Sequence, residues 1–189
     1  MLKNALPQRF LSHVEIVHRP GERRLAEQFL GLLGITVQDA MEGRFMLAKV
    51  DSESYDPAVF FNFFGGSQVH AEQWAFEQLL EHEIRHGALA SSFAAWQGKL
   101  DGDPTSGMHT GIHFSSVAAW QAAVERCAGL ADTHPELTGR ARLASVHRPD
   151  DPDAVAPFYQ AFVWTDILSA GSLAIGQRFE LSALPERAG

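Results

Sequence analysis

The sequence predicts an α+β protein of two similar modules, each a strand, a helix and three further strands (βαβββ), with a helical insertion between them. Three observations carry this expectation. First, a period-two run at His13 to Val17 is followed by apolar residues at helical spacing, Leu25, Phe29, Leu32 and Leu33. Second, the same order returns at His109 to Phe114 and Val117 to Cys127. Third, between the copies lie a helix-like segment from Glu72 to Arg85 and a Gly, Pro and Asp-rich linker, Asp101 to Gly107.

In the opening strand, Val14 and Ile16 share one face and His13, Glu15 and Val17 the other. Pro20 suits the first turn of the helix that follows, and Gly34 stands where a left-handed residue ends one. Three strand-like runs come next, at Ile35 to Gln38, Phe45 to Val50 and Ala58 to Phe64, separated by Glu42-Gly43 and by Asp51 to Pro57. In the insertion, Trp74, Phe76, Leu79, Leu80 and Ile84 form the apolar set of a helix ending near Gly87, and Ala88 to Lys99 extends or follows it. In the second copy Ser115 or Ser116 caps a helix with the stripe Val117, Trp120, Val124 and Cys127. Strands are expected at Ala141 to Val146, Phe158 to Thr165 and Phe179 to Leu184, with Leu173 to Ile175 assignable to the last. The resulting boundaries are 1–67 for the first module, 68–107 for the insertion and linker, and 108–189 for the second, within one structural domain.

Composition narrows the function classes. A 189-residue chain with 46% hydrophobic residues has enough apolar mass for a real core. The net charge is -8 and the 15 Lys and Arg are scattered, which argues against nucleic acid as a partner. Cys127 is the single cysteine, so no intrachain disulfide and no cysteine-based metal cluster is expected. No segment approaches the roughly 20 apolar residues of a membrane helix, and MLKNALPQRF lacks the apolar run of an export signal. A cytoplasmic protein with a small-molecule partner and no membrane partner is expected, and a homodimer is compatible with the sequence.

The two copies align residue by residue: His13-Val-Glu-Ile-Val-His18 with His109-Thr-Gly-Ile-His-Phe114. On LSHVEIVHRPGERRLAEQFLGLLG, on HTGIHFSSVAAWQAAV and on RFELSAL with Glu180, the chain resembles the vicinal oxygen chelate superfamily. That superfamily includes glyoxalase I, bleomycin resistance proteins and type I extradiol dioxygenases. The resemblance implies curved mixed sheets meeting in a cleft, with His13, His109 and Glu180 as metal ligands. Two histidines and one carboxylate form a facial triad with open positions, as in non-haem iron(II) oxygenases, so iron(II) in a ring-cleaving dioxygenase is the favoured expectation. Zinc, manganese or nickel in a glyoxalase-like lyase or isomerase would use the same ligands as a Lewis-acid site. The segment Val59 to Phe64 has no carboxylate or histidine where glyoxalases supply a fourth ligand, a departure that favours three ligands or a lost metal.

The leading expectation is therefore a metal-dependent oxidoreductase-type enzyme acting on a small substrate with vicinal oxygens. The alternative is a metal-free binding or resistance protein of the same fold. His113 and Tyr159 are candidate catalytic groups, the first for proton transfer and the second as a donor to a substrate oxygen. Glu15 is either a ligand or base, or else a polar lining group or an exposed residue, and His18, beside Arg19 and Pro20, reads as part of a solvated turn. His82-Glu-Ile-Arg-His86 matches the zinc-protease pattern HExxH, although its place in the insertion favours a solvated helix face. The run Phe60 to Phe64, with Phe162 and Trp164, either lines an apolar pocket or packs the core.

Overall fold

The computed structural model describes residues 13–50, 63–152 and 157–185. Strand β1 (His13–His18) leads into a turn closed by Glu22 N–H donating to Arg19 O at 3.1 Å, so Pro20 lies in this turn and α1 (Arg23–Leu32) starts after it. The helix ends as its glycine predicts. Gly34, at φ +82°, donates to Gly31 O and Ile35 donates to Leu30 O, which satisfies the last carbonyls and turns buried Ile35 onto the core. Strands β2 (Thr36–Ala40) and β3 (Phe45–Lys49) form a hairpin, and β4 (Phe63–Gln68) pairs antiparallel with β3 and parallel with β1. Most of the strand expected over 58–64, including Phe60 to Asn62, and the turn at Asp51 to Pro57 lie outside the described residues.

Helices α2 (Ala71–His86) and α3 (Ala90–Gly102) are separate, broken at Gly87, where Glu83 Oε2 accepts from Ala88 N at 3.0 Å. The inward face of α2 departs from the expected stripe. Phe76 and Leu79 are 61% and 68% exposed, whereas Glu77 is buried. The reversal has a polar cause. Glu77 Oε2 accepts from Ser172 Oγ at 2.7 Å and from Ala174 N at 3.0 Å, and Glu81 accepts from Arg19 Nη1 at 3.0 Å.

In the second region, β5 (Thr110–Phe114) precedes α4 (Val117–Ala128), and Ser116 Oγ caps that helix by accepting from Ala119 N at 3.2 Å. A short helix the periodicity does not predict, α5 (Leu130–Thr133), leads to β6 (Ala141–His147), β7 (Tyr159–Thr165), β8 (Leu168–Ser169) and β9 (Gln177–Ala183). The sheet orders are β2-β3-β4-β1-β8 and β5-β9-β7-β6, with β5 parallel to β9. The fold is mixed α+β with two sheet-and-helix regions. Strand β8 comes from the second half of the chain yet pairs with β1, Val17 opposite Ser169.

One apolar core joins both regions. Phe179 of β9 meets Phe29 of α1 at 5.6 Å and takes an edge contact from Phe64 of β4 at 5.8 Å. Burying an aromatic ring of this size stabilises by roughly 1.5–3 kcal/mol. Arg126 of α4 donates to Leu32 O at 2.9 Å, so the second helix also satisfies the end of the first. Cys127 lies in this core, and burial pushes its thiol up to about 12, which makes it a packing residue rather than a nucleophile. Where the regions meet, Asp166 accepts from Arg140 Nε at 2.5 Å and faces Arg19 Nη2 at 3.6 Å, while Arg140 forks onto Glu22.

The alternation of β1 places Val14, Ile16 and His18 on its inner side, with Ile16 in the core and Val14 packed against it. His18 is 4% exposed, a correction to its reading as a solvated turn residue. Its Nδ1 lies 2.9 Å from Arg19 O. Burial lowers its pKa below the ordinary histidine value and outweighs the opposing hydrogen bond. Among the described residues no helix is long and apolar enough to cross a membrane.

Candidate functional site

The second sheet has two chemically different faces. In β9, Phe179, Leu181 and Ala183 belong to the core, so the alternation sends Arg178, Glu180 and Ser182 to the opposite face. Gln160, Phe162 and Trp164 of β7 share that polar face, with Arg142, Ser145 and His147 of β6 beside them.

Glu180 and His109 come together there. Glu180 Oε2 is 2.9 Å from His109 Nε2, and Glu180 Oε1 accepts from Gln160 Nε2 at 2.9 Å. His109 Nδ1 is 2.8 Å from Gly107 O, which can only accept, so this nitrogen is a donor. The edge of the His109 ring rests against Phe162 at 5.7 Å. The ring is thus fixed from three sides and its two nitrogens are both engaged.

His13 does not join this pair. It stacks on Phe63 at 5.2 Å and 12°, and its Nε2 lies 3.4 Å from Glu15 Oε1. Among the described residues, no group of three or more His, Cys, Asp or Glu side chains is placed to hold a metal ion. The expected triad of His13, His109 and Glu180 on iron(II), zinc, manganese or nickel is therefore corrected. With it falls the metal-dependent reading, whether ring-cleaving dioxygenase, other oxidoreductase or glyoxalase-like enzyme. The physical reason lies in the partners: each histidine is already matched to a glutamate of its own sheet.

The remaining candidates are dispersed. His113 is exposed on the polar face, with Nδ1 3.2 Å from Ser182 Oγ. Tyr159 points to the other face, its ring 5.1 Å from Trp120 and packed against the core. His82 and His86 are exposed on α2 with ring centroids 5.8 Å apart.

Beside His109 opens a cavity of about 260 Å³, bounded by the start of β5, the end of α3 and the loop from β8 to β9. Trp96, Met108, Trp164 and Ile175 give it apolar walls; His109 and Arg178 supply its ionisable groups. Its loop wall is held from two directions. Glu77 of α2 bonds Ser172 and Ala174, as described above, and Gly176 packs so tightly that a Cβ would lie 2.7 Å from both Thr165 O and Trp164 Nε1. The end of α3 is tied to the sheet by Asp101, which accepts from Arg142 Nη2 at 2.8 Å and Arg178 Nη2 at 3.0 Å. Burial raises the Asp101 pKa, but the bonds from the two guanidinium groups outweigh it and hold this carboxyl below its usual range.

Sequence reasoning missed Trp96, Asp101, Glu77 and Arg178. For Arg178 a signal existed: two residues before Glu180 in RFELSAL, it shares that residue's face. Glu77 also had one, since it lies three residues after Trp74 and seven before Ile84 and so falls on their side of α2.

No known protein family matches the chain. No curated protein matches it either. A solved structure, of a hypothetical protein from S. aureus, is similar over 94% of this chain and 95% of that one, at 9% identity and a TM-score of 0.42. A likeness at that level assigns neither fold family nor function.

Proposed function

We propose that this chain is a metal-free small-molecule binding protein, with the cavity beside His109 as its site and compact planar aromatic compounds as its ligands. The observation that carries this reading is the cavity itself: about 260 Å³, with Trp96 and Trp164 in its walls and a few polar groups beside them. Ligand sites have this character, mainly apolar with a small number of placed polar groups, and typical ones span roughly 300–1,000 Å³. A cavity just under that range suits one or two fused rings.

On this reading the architecture is that of the vicinal oxygen chelate superfamily, with both sheet-and-helix regions as βαβββ modules flanking a cleft. The support is topological. In each region the first strand lies parallel to the last, and the mirrored orders β2-β3-β4-β1 and β5-β9-β7-β6 follow from the same chain path.

The test is a thermal melt of chelator-treated protein with 2-naphthamide, read together with tryptophan fluorescence. A ligand selective for the folded state raises the melting temperature with concentration. Binding at the cavity also perturbs the emission of Trp96 and Trp164, and the paired Trp96→Ala and Trp164→Ala variants lose the thermal response. An unchanged melting temperature at saturating 2-naphthamide and at saturating 2-naphthoate, its carboxylate analogue, overturns the proposal.

A further inference from the structure

We propose that the cavity selects a monoanionic ligand, an aromatic carboxylate, through the guanidinium of Arg178; this rests on the binding function proposed above. Arg178 lines the cavity and is 4% exposed. Its Nη2 is occupied by Gln97 Oε1 at 3.1 Å and Asp101 Oδ1 at 3.0 Å, but its Nη1 is buried without a hydrogen-bond partner among the described residues. Buried donors are almost always satisfied, so an orphaned guanidinium nitrogen at a cavity wall marks a place for an acceptor that arrives from outside the chain.

The charge distribution favours an anion. Among the described residues no carboxylate lines the cavity, whereas Arg178 and His109 do. The acidic groups that bond its walls are already committed: Glu77 is held by Ser172 and Ala174, Asp101 is shared between the guanidinium groups of Arg142 and Arg178, and Glu180 is held by His109 and Gln160. A planar carboxylate matches the fork of an arginine, and the rings it carries fit between apolar walls. A cationic ligand would meet the reverse field.

The test compares 2-naphthoate with its neutral isostere 2-naphthamide by fluorescence titration and thermal shift. Wild-type protein is expected to bind the carboxylate at least about tenfold more tightly, as a charge-assisted pair with a guanidinium requires. Arg178→Gln removes that preference, weakening the carboxylate about tenfold more than the amide. Equal binding of the two probes overturns the role of Arg178 while the aromatic site stands; a preference that persists in folded R178Q overturns it too. Failure of both probes to bind instead removes the binding function itself. Should R178Q not fold, R178K keeps the charge without the fork, and a smaller preference for the carboxylate over the amide is the expected result; an unaltered carboxylate preference in R178K overturns the assignment.

Discussion

The two sheets carry the same pair of residue types on equivalent strands and use them differently. In the first sheet, Glu15 of β1 stands opposite Gly65 of β4; in the second, Gly111 of β5 stands opposite Glu180 of β9. The glutamate has changed strands between the halves, and glycine fills the place it leaves. In the first sheet a Cβ at Gly65 would lie 2.7 Å from both Glu15 carboxylate oxygens, so Glu15 occupies the space above the glycine. At Gly111 a Cβ would meet nothing within 4 Å. Burial differs as well: the His13 and Glu15 side chains are 43% and 58% exposed, against 24% and 15% for His109 and Glu180. A screened surface pair faces a half-buried, triply bonded one. The two sheets offer the same residue types at corresponding positions; the surroundings decide how they pair.

The core that joins the halves should respond most strongly. Phe179→Ala removes the ring that meets both Phe29 and Phe64 and is expected to cost about 3–5 kcal/mol in urea unfolding, with a single transition. Two separate transitions would show that the halves are stable independently.

Next, Glu180→Ala set against Glu15→Ala tests the difference between the pairs directly. Losing Glu180 strands His109 and Gln160 and should cost roughly 1–3 kcal/mol. Losing Glu15 should cost at most about 1 kcal/mol, since exposed ion pairs contribute little. Equal losses would erase the distinction.

The glycines give a smaller contrast of opposite sign. Gly111→Ala should leave stability unchanged or raise it by up to about 1 kcal/mol by restricting the unfolded chain. Gly65→Ala should cost about 1 kcal/mol, because its methyl displaces Glu15 and the Phe45 ring. Unfolding midpoints of the two variants decide it.

His18 gives the subtlest effect. Its folded pKa is depressed, so the unfolded chain binds the proton more readily; the stability it contributes is present above pH 6.5 and lost as pH falls below that value. His18→Gln should flatten the pH dependence of stability below 6.5, measured by denaturant unfolding on either side of it.

Much of the fold was legible because periodicity reports which side of an element is buried. The Gly34 stop, the Ser116 cap and the repeated strand and helix all depend on neighbours in sequence, and each occurs near its expected position. The site was legible only in part. His109 and Glu180 were chosen as partners and do meet, but as a hydrogen-bonded pair rather than as ligands of a metal. His18 differs from its expected turn position because the alternation of β1 carries it onto the buried face, although Arg19 and Pro20 follow it directly.

The sequence by itself determined that each half opens with a strand and a helix, which faces of those strands are apolar and which positions of β1 and β5 correspond, since all of these follow from local period and internal repetition. Only the tertiary structure decided that β8 crosses to β1, that Glu77 and Glu81 turn inward while Phe76 and Leu79 turn out, and that Arg178 lines a cavity with one nitrogen unsatisfied. These outcomes depend on partners far away in the chain. A carboxylate or guanidinium is buried when specific donors or acceptors come to meet it, and local pattern carries no record of them.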